Sequence, residues 1–265
     1  MNPIATRLVR ALRKVKTAQV VDLRAFREGT ARAAELQKSV AKREDLADFD
    51  PAHGLYVYVH NQVSIHAEQL TALPETAKLA DRIEAAQDEY MPSGPPMSPL
   101  TKSYFTCWAF YDAAVGAHRE TLGACVVAVG KVLGMDHGFL ALVQAMQDSC
   151  MRVYVHEGVH TDGTTKLRDL VSGSWVSCIV PSGWHGSRGE LWLARVLPPP
   201  ASHVEFSVVF TTPYVLRGAS EHLRWLRGTR HRGHLPRGPA RRARVAATLQ
   251  PEVAVSMLCR SGRGA

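Results

Sequence analysis

The chain has 265 residues, 46% of them apolar and 21% charged, which is ordinary globular composition and enough length for one large or two small packed cores. Its densest apolar stretch, Cys125 to Val129, is far short of the roughly 20 residues of a membrane-spanning helix, and no apolar core with a small-residue cleavage site follows the basic N-terminus. The formal net charge of +8 belongs to one end: residues 217–265 hold eleven Arg, no Lys and two Glu, whereas the first 216 residues hold 21 basic and 22 acidic side chains. A nucleic-acid argument from charge therefore rests on the tail alone.

In chain order, residues 1–20 read as a basic amphipathic helix. Ile4, Leu8, Val9, Leu12 and Val15 fall on one side, and Arg7, Arg10, Arg13 and Lys14 opposite. A helix docked on the body with a solvated basic face, a surface for membrane or nucleic acid, and an organelle transit peptide all fit that pattern. Asp22 to Asp48 is helical by propensity. Asp50-Pro51 reads as a break, after which Leu55–Val59 is expected as a strand, with a second short strand at Val63 and Ile65. Pro74 opens a helix that keeps Leu79, Ile83, Ala86 and Tyr90 on one face. These elements make residues 1–90 a mostly helical N-terminal part with short strands. Residues 91–102, with four prolines, are the expected linker.

Residues 103–216 are expected to form an α+β core. Ser103–Phe110 reads as a strand buried on both faces, its aromatic residues packing the core rather than stacking on nucleobases. Two helices follow near 121–133 and 136–149, the second with Asp136 as N-cap. From Met151 the period falls to two. Strands at 151–155, 165–171, 175–180, 191–197 and 204–210 are separated by turn signals such as Asp162-Gly163 and Ser172-Gly173. The fold expectation is α+β: a helical N-terminal part, then an antiparallel five-stranded meander or small barrel packed on two helices. Residues 217–265, after one short helix candidate at 219–227, lack hydrophobic periodicity and are expected to be largely disordered.

The strings SYFTCWAF from Ser103, GELWLARVLP from Gly189 and VVFTTPYVL from Val208 resemble a family of uncharacterised bacterial proteins from GC-rich genomes. The resemblance covers about residues 91–216 and implies no activity. After Leu216 the chain departs from the family's pattern. An Arg/Gly/Pro/Ala-rich segment without Lys is also what a GC-rich gene yields out of frame, so a functional tail and a frame error both stand.

Few residues carry nameable chemistry. His156-Glu157-Gly158-Val159-His160 spells H-E-x-x-H, which binds zinc through His156 and His160 and uses Glu157 as general base when a helix aligns positions i and i+4. Here the surrounding period of two predicts a strand, on which residues four apart lie about 13 Å from one another. Neither Asp169 nor Glu190 supplies a recognisable third-ligand motif. His53, His60 and His66 read as surface or hydrogen-bonded core histidines. The loop Gly183–Gly189 offers backbone N–H groups, Arg188 and the aromatic Trp184, a set that can cradle an anion or simply connect two strands. In the tail, Arg230, Arg232, Arg237, Arg241, Arg242 and Arg244 are the phosphate-binding candidates. Five widely spaced cysteines without a CxxC pair fit reduced thiols and a cytoplasmic location.

The leading expectation is a non-enzymatic binding or regulatory protein with no cofactor, its basic ends favouring anionic partners such as nucleic acid or an acidic protein. A zinc-dependent hydrolase using His156, Glu157 and His160 is one alternative. A non-specific nucleic-acid binder acting through the tail is the other. Whether Val155–His160 is helix or strand separates the first two.

Overall fold

The computed structural model describes residues 3–17, 46, 49–90 and 99–216. The expected helix over 22–48, most of the proline-rich linker and the Arg-rich tail lie outside the described residues. The described residues form two compact units, one from those up to Cys150 together with 197–204, the other from 151–196 and 205–216. The division falls at Cys150/Met151, and the described residues on both sides of the proline-rich segment belong to the first unit.

The first unit is helical. Helix α1 (Ile4–Thr17) buries Ile4 and Leu8, and its first N–H groups are capped from a distance in sequence. The Glu120 carboxylate accepts from Ile4 N and, at 2.8 Å, from Ala5 N. A carboxylate there satisfies orphan donors and complements the positive end of the helix dipole.

Residues 55–65 are helical, which corrects the expected strands. Helix α2 runs Pro51–Thr71, and Asp50-Pro51 is its start rather than a break. The Asp50 side chain accepts from Ala52 N at 2.9 Å, and Pro51 occupies the first turn, where a missing N–H costs nothing. Ala52, Tyr56, Val59, Val63, Ala67 and Leu70 are buried at three- and four-residue spacing, so the β-branched run is one side of a helix. Burial along that side outweighs the β-propensity of Val and Tyr. Tyr56 donates its hydroxyl to Pro198 O at 2.8 Å, tying the 197–204 segment to this unit.

A 3₁₀ turn at Pro74–Thr76 leads into helix α3 (Ala77–Tyr90), as the Pro74 signal indicated. Helix α4 (Pro99–Tyr111) is the second correction, because Ser103–Phe110 is helix where a strand is expected. A continuous apolar run carries no period that separates the two states. Cys107, Trp108 and Tyr111 are buried, so the packing role expected of the aromatic series holds at Trp108 and Tyr111.

Helices α5 (Leu122–Leu133) and α6 (His137–Asp148) match their sequence signals. Thr121 accepts from Ala124 N, Asp136 accepts from Phe139 N at 2.8 Å, and Gly134 ends α5 in the left-handed region. The two helices approach closely because α5 carries glycine at the contact. A Cβ on Gly130 would lie 2.6 Å from Leu140 Cδ2, and one on Gly123 would lie 2.6 Å from Gln147 Oε1.

The second unit is a barrel of strands β1 (Met151–Val159), β2 (Thr165–Asp169), β3 (Trp175–Ile179), β4 (Leu191–Leu197) and β5 (Ser207–Val209), with a short β6 (Tyr214–Val215). All five expected strands are present. The order is β1-β2-β3-β5-β4, and β4 returns to pair with β1, closing the ring. The sheet is mixed rather than a purely antiparallel meander: β3 and β5 run parallel, with Cys178 opposite Ser207 and Ile179 opposite Val208. β1 is nine residues long and serves two neighbours. Met151–Val155 pair with β4, while Tyr154–Val159 pair with β2. Between His156 and Gly158 the register slips, leaving Glu157 as the extra residue of a β-bulge, with Gly158 at φ 121°. Such a bulge adds the bend and twist that closure requires.

β5 and β6 lie in succession along one edge of β4, interrupted at 210–213. At the interruption Arg195 N donates to the buried Thr211 hydroxyl at 2.9 Å. Tyr154, Leu167, Cys178, Trp192, Ala194 and Val209 fill the interior. Trp192, fully buried, donates Nε1–H to Glu190 at 2.9 Å. Burial pushes the Cys178 thiol up to about 12, so it is an inert apolar group there. Asp169, also buried, accepts from Arg152 at 2.6 Å and from Val171 N and Ser172 N. Burial opposes its ionisation, but those donors outweigh it and hold the carboxyl below its ordinary range.

Candidate ligand-binding face of the barrel

In β2, Thr165, Leu167 and Asp169 point into the barrel and are buried, so Lys166 and Arg168 share the outer surface. The ladder sets Arg168 opposite Trp175 and Lys166 opposite Ser177 on β3. Trp175 is 53% exposed, unusual for the largest apolar side chain, and cations flank it. Lys166 Nζ lies 4.2 Å from its ring centroid and Arg168 Cζ 5.5 Å, both within cation–π range. On the β1 side Arg168 Nε donates to Glu157 Oε1 at 2.8 Å. The bulge that helps bend β1 therefore also delivers the carboxylate that holds Arg168. The result is an aromatic platform with two tethered cations on one outer face.

The β3–β4 connection adds Trp184, 51% exposed, with Arg188 and His185 also exposed. This loop is anchored beneath. Gly189 N donates to His156 O at 2.7 Å, and Gly186 sits so close to Trp192 that a Cβ would meet the indole at 2.3 Å.

The H-E-x-x-H residues are on a strand, and the strand separates them. His156 is buried inside the barrel, its ring 4.7 Å from that of Trp192, with Nδ1 accepting from Gly158 N at 3.2 Å. Burial lowers its pKa against the opposing pull of the His185 backbone and of Glu190 and Glu157. Glu157 lies on the outer face with Arg168. His160 is exposed in the following turn, where its backbone N–H donates to Thr164 O. Among the described residues no group of three or more His, Cys, Asp or Glu is placed to hold a metal ion.

His53, His60 and His66 are spread along α2, each against its own aromatic ring: Phe49, Phe110 and Phe139 respectively. Of the anion candidates, Arg188 is placed as described above. Arg230, Arg232, Arg237, Arg241, Arg242 and Arg244 lie outside the described residues. Lys166, Arg168 and Trp175 are not singled out by sequence reasoning, whereas Trp184 belongs to the glycine-rich loop that is. The Thr-Lys-Leu-Arg-Asp alternation shows that Lys166 and Arg168 share a face, but only the register brings Trp175 between them.

The five strands close in the order 1-2-3-5-4-1, with strands 3 and 5 parallel, so the platform lies on the outer face of a closed, mixed five-stranded barrel. No family model, curated protein or solved structure matches the chain. Among the described residues no helix is long and apolar enough to cross a membrane.

Proposed function

We propose that the chain is a non-catalytic binding protein whose barrel holds single-stranded nucleic acid on the outer face of β1–β3. The observation that carries this reading is Trp175, half exposed and flanked by Lys166 and Arg168. A flat π surface takes an unpaired base of any identity, and the two cations take the adjoining phosphates. By analogy, five-stranded Greek-key barrels that bind oligonucleotides and oligosaccharides use the face of their strands 2 and 3, and the corresponding face here holds Trp175. Residues 151–216 hold five basic and five acidic side chains, so affinity there comes from stacking and two local contacts rather than from bulk charge. Closed duplexes bury their base faces and offer the platform nothing to stack on.

The test is fluorescence anisotropy with a labelled dT12 strand and its duplex, using the full chain. Trp175→Ala should weaken single-strand binding by about 1–3 kcal/mol, the usual worth of one stacked base, and leave duplex binding unchanged. Equal losses on both, or none on the single strand, would place the ligand elsewhere.

A further inference from the structure

The connection 180–190 between β3 and β4 is fastened to the barrel around one residue, the buried His156. Gly189 N donates to His156 O at 2.7 Å, and His156 N donates to Glu190 O at 2.9 Å. Trp192, whose Nε1–H holds Glu190 Oε2 at 2.9 Å, lies 4.7 Å from His156 ring to ring, and Gly186 sits against its indole. Inside the bulge, His156 Nδ1 accepts from Gly158 N at 3.2 Å. That hydrogen bond needs the neutral ring, with its proton on Nε2. A second proton goes to Nδ1, where it meets the Gly158 N–H donor to donor. The charges around the ring are already engaged. Glu157, on the same strand, holds Arg168 at 2.8 Å, and Glu190, at the entry to β4, holds Trp192. From β2 the apolar Leu167 stands opposite, β3 adds the Cys178 thiol to the barrel interior, and the loop brings the His185 backbone to the ring. Burial outweighs the pull of both carboxylates and favours the neutral imidazole.

We infer that protonation of His156 releases the 180–190 loop from the barrel, making the residue an acid-operated latch. The bulge opens at Gly158, and the hydrogen bonds that Gly189 and Glu190 make to the His156 backbone open with it. The latch stands on the barrel's own geometry, whether or not the outer face binds single strands. The experiment is amide hydrogen exchange by NMR on the full chain between pH 8 and 5, with the His156 ring followed alongside. The imidazole should titrate below the ordinary histidine value of about 6.5. Protection of the Gly189 amide should fall by up to about tenfold per pH unit below about 6.5, the slope that uptake of one proton gives. The β1–β4 ladder at Met151–Val153 should keep its protection. His156→Asn, whose amide oxygen replaces the Nδ1 acceptor but takes no proton, should hold Gly189 protection level across the range. His160→Gln/His185→Gln, which removes the two exposed imidazoles of this end, should leave the fall in place. In the unmutated chain, a His156 midpoint at or above about 6.5, or level protection at Gly189, would overturn the latch even if a variant failed to fold. The same fall in His156→Asn, or its loss in the double variant, would overturn it by assigning the transition to another group. Equal loss in the ladder would overturn it as acid unfolding of the whole barrel.

Discussion

Arg168 stands directly across the β2–β3 ladder from Trp175 and is held at its other side by Glu157, at 2.8 Å. Each partner restrains the guanidinium, and Glu157 also competes for any phosphate that approaches it. Glu157→Gln should therefore raise affinity for dT12 by about twofold to fivefold, in keeping with the ~0.5–1 kcal/mol of a part-exposed ion pair. Lys166→Ala with Arg168→Ala should lower both the affinity and its salt dependence. Anisotropy titrations at several salt concentrations read both effects. An unchanged affinity in Glu157→Gln would show that Arg168 makes no phosphate contact.

The tail supplies the contrasting experiment. Its eleven arginines can release counterions whatever the strand's form, so removing 217–265 should flatten the salt dependence of binding to single strands and duplexes alike. The extra loss caused by Trp175→Ala on dT12 should persist in the shortened chain. If it vanishes, the barrel does not bind by itself.

Two tryptophans test the two cores. Trp108 and Trp192 are buried, in α4 and β4 respectively, and replacing either by Ala should cost about 3–5 kcal/mol in urea unfolding. Gly186→Ala should cost about 1–3 kcal/mol, because the new methyl meets Trp192 and the backbone stands at φ 59°. A loss below about 1 kcal/mol at Trp192 would contradict its place inside the barrel.

Acid should unfold the barrel partly through Asp169. Its carboxyl is held below its ordinary value in the folded chain, so its contribution is fully present above the unfolded pKa of about 3.9 and disappears as pH falls through the folded value. Asp169→Asn should accordingly lower stability at pH 7 by about 1–3 kcal/mol and leave a smaller decline between pH 5 and 2. Chemical unfolding across that window checks the sign. A mutant whose decline matches the wild type would assign the acid sensitivity to other carboxylates.

Some of this molecule is legible locally. Caps and turns act over a few residues, so Asp136, Asp162-Gly163 and Ser172-Gly173 mark their elements directly. In β2 the alternation shows one buried and one open face, because the pleat has a period of two, whereas β4 is buried on both sides. Runs such as Leu55–Val59 and Ser103–Phe110 have no such reading. Where nearly every position is apolar, helix and strand bury the same side chains, and the packing partners decide between them.

The sequence by itself determined the strands of the barrel, the N-cap of α6, and the confinement of net charge to the tail, since each depends on neighbours in the chain. Tertiary structure alone decided the helical state of α2 and α4, the parallel β3–β5 pairing and the closure of β4 onto β1. It also decided the candidate site. Lys166, Arg168 and Trp175 meet through a ladder register, and Glu157 joins them through a bulge, and both are set by which strand finds which neighbour when the sheet curls around Trp192. Long-range pairing free energy chooses those neighbours, and no local pattern of residues carries it.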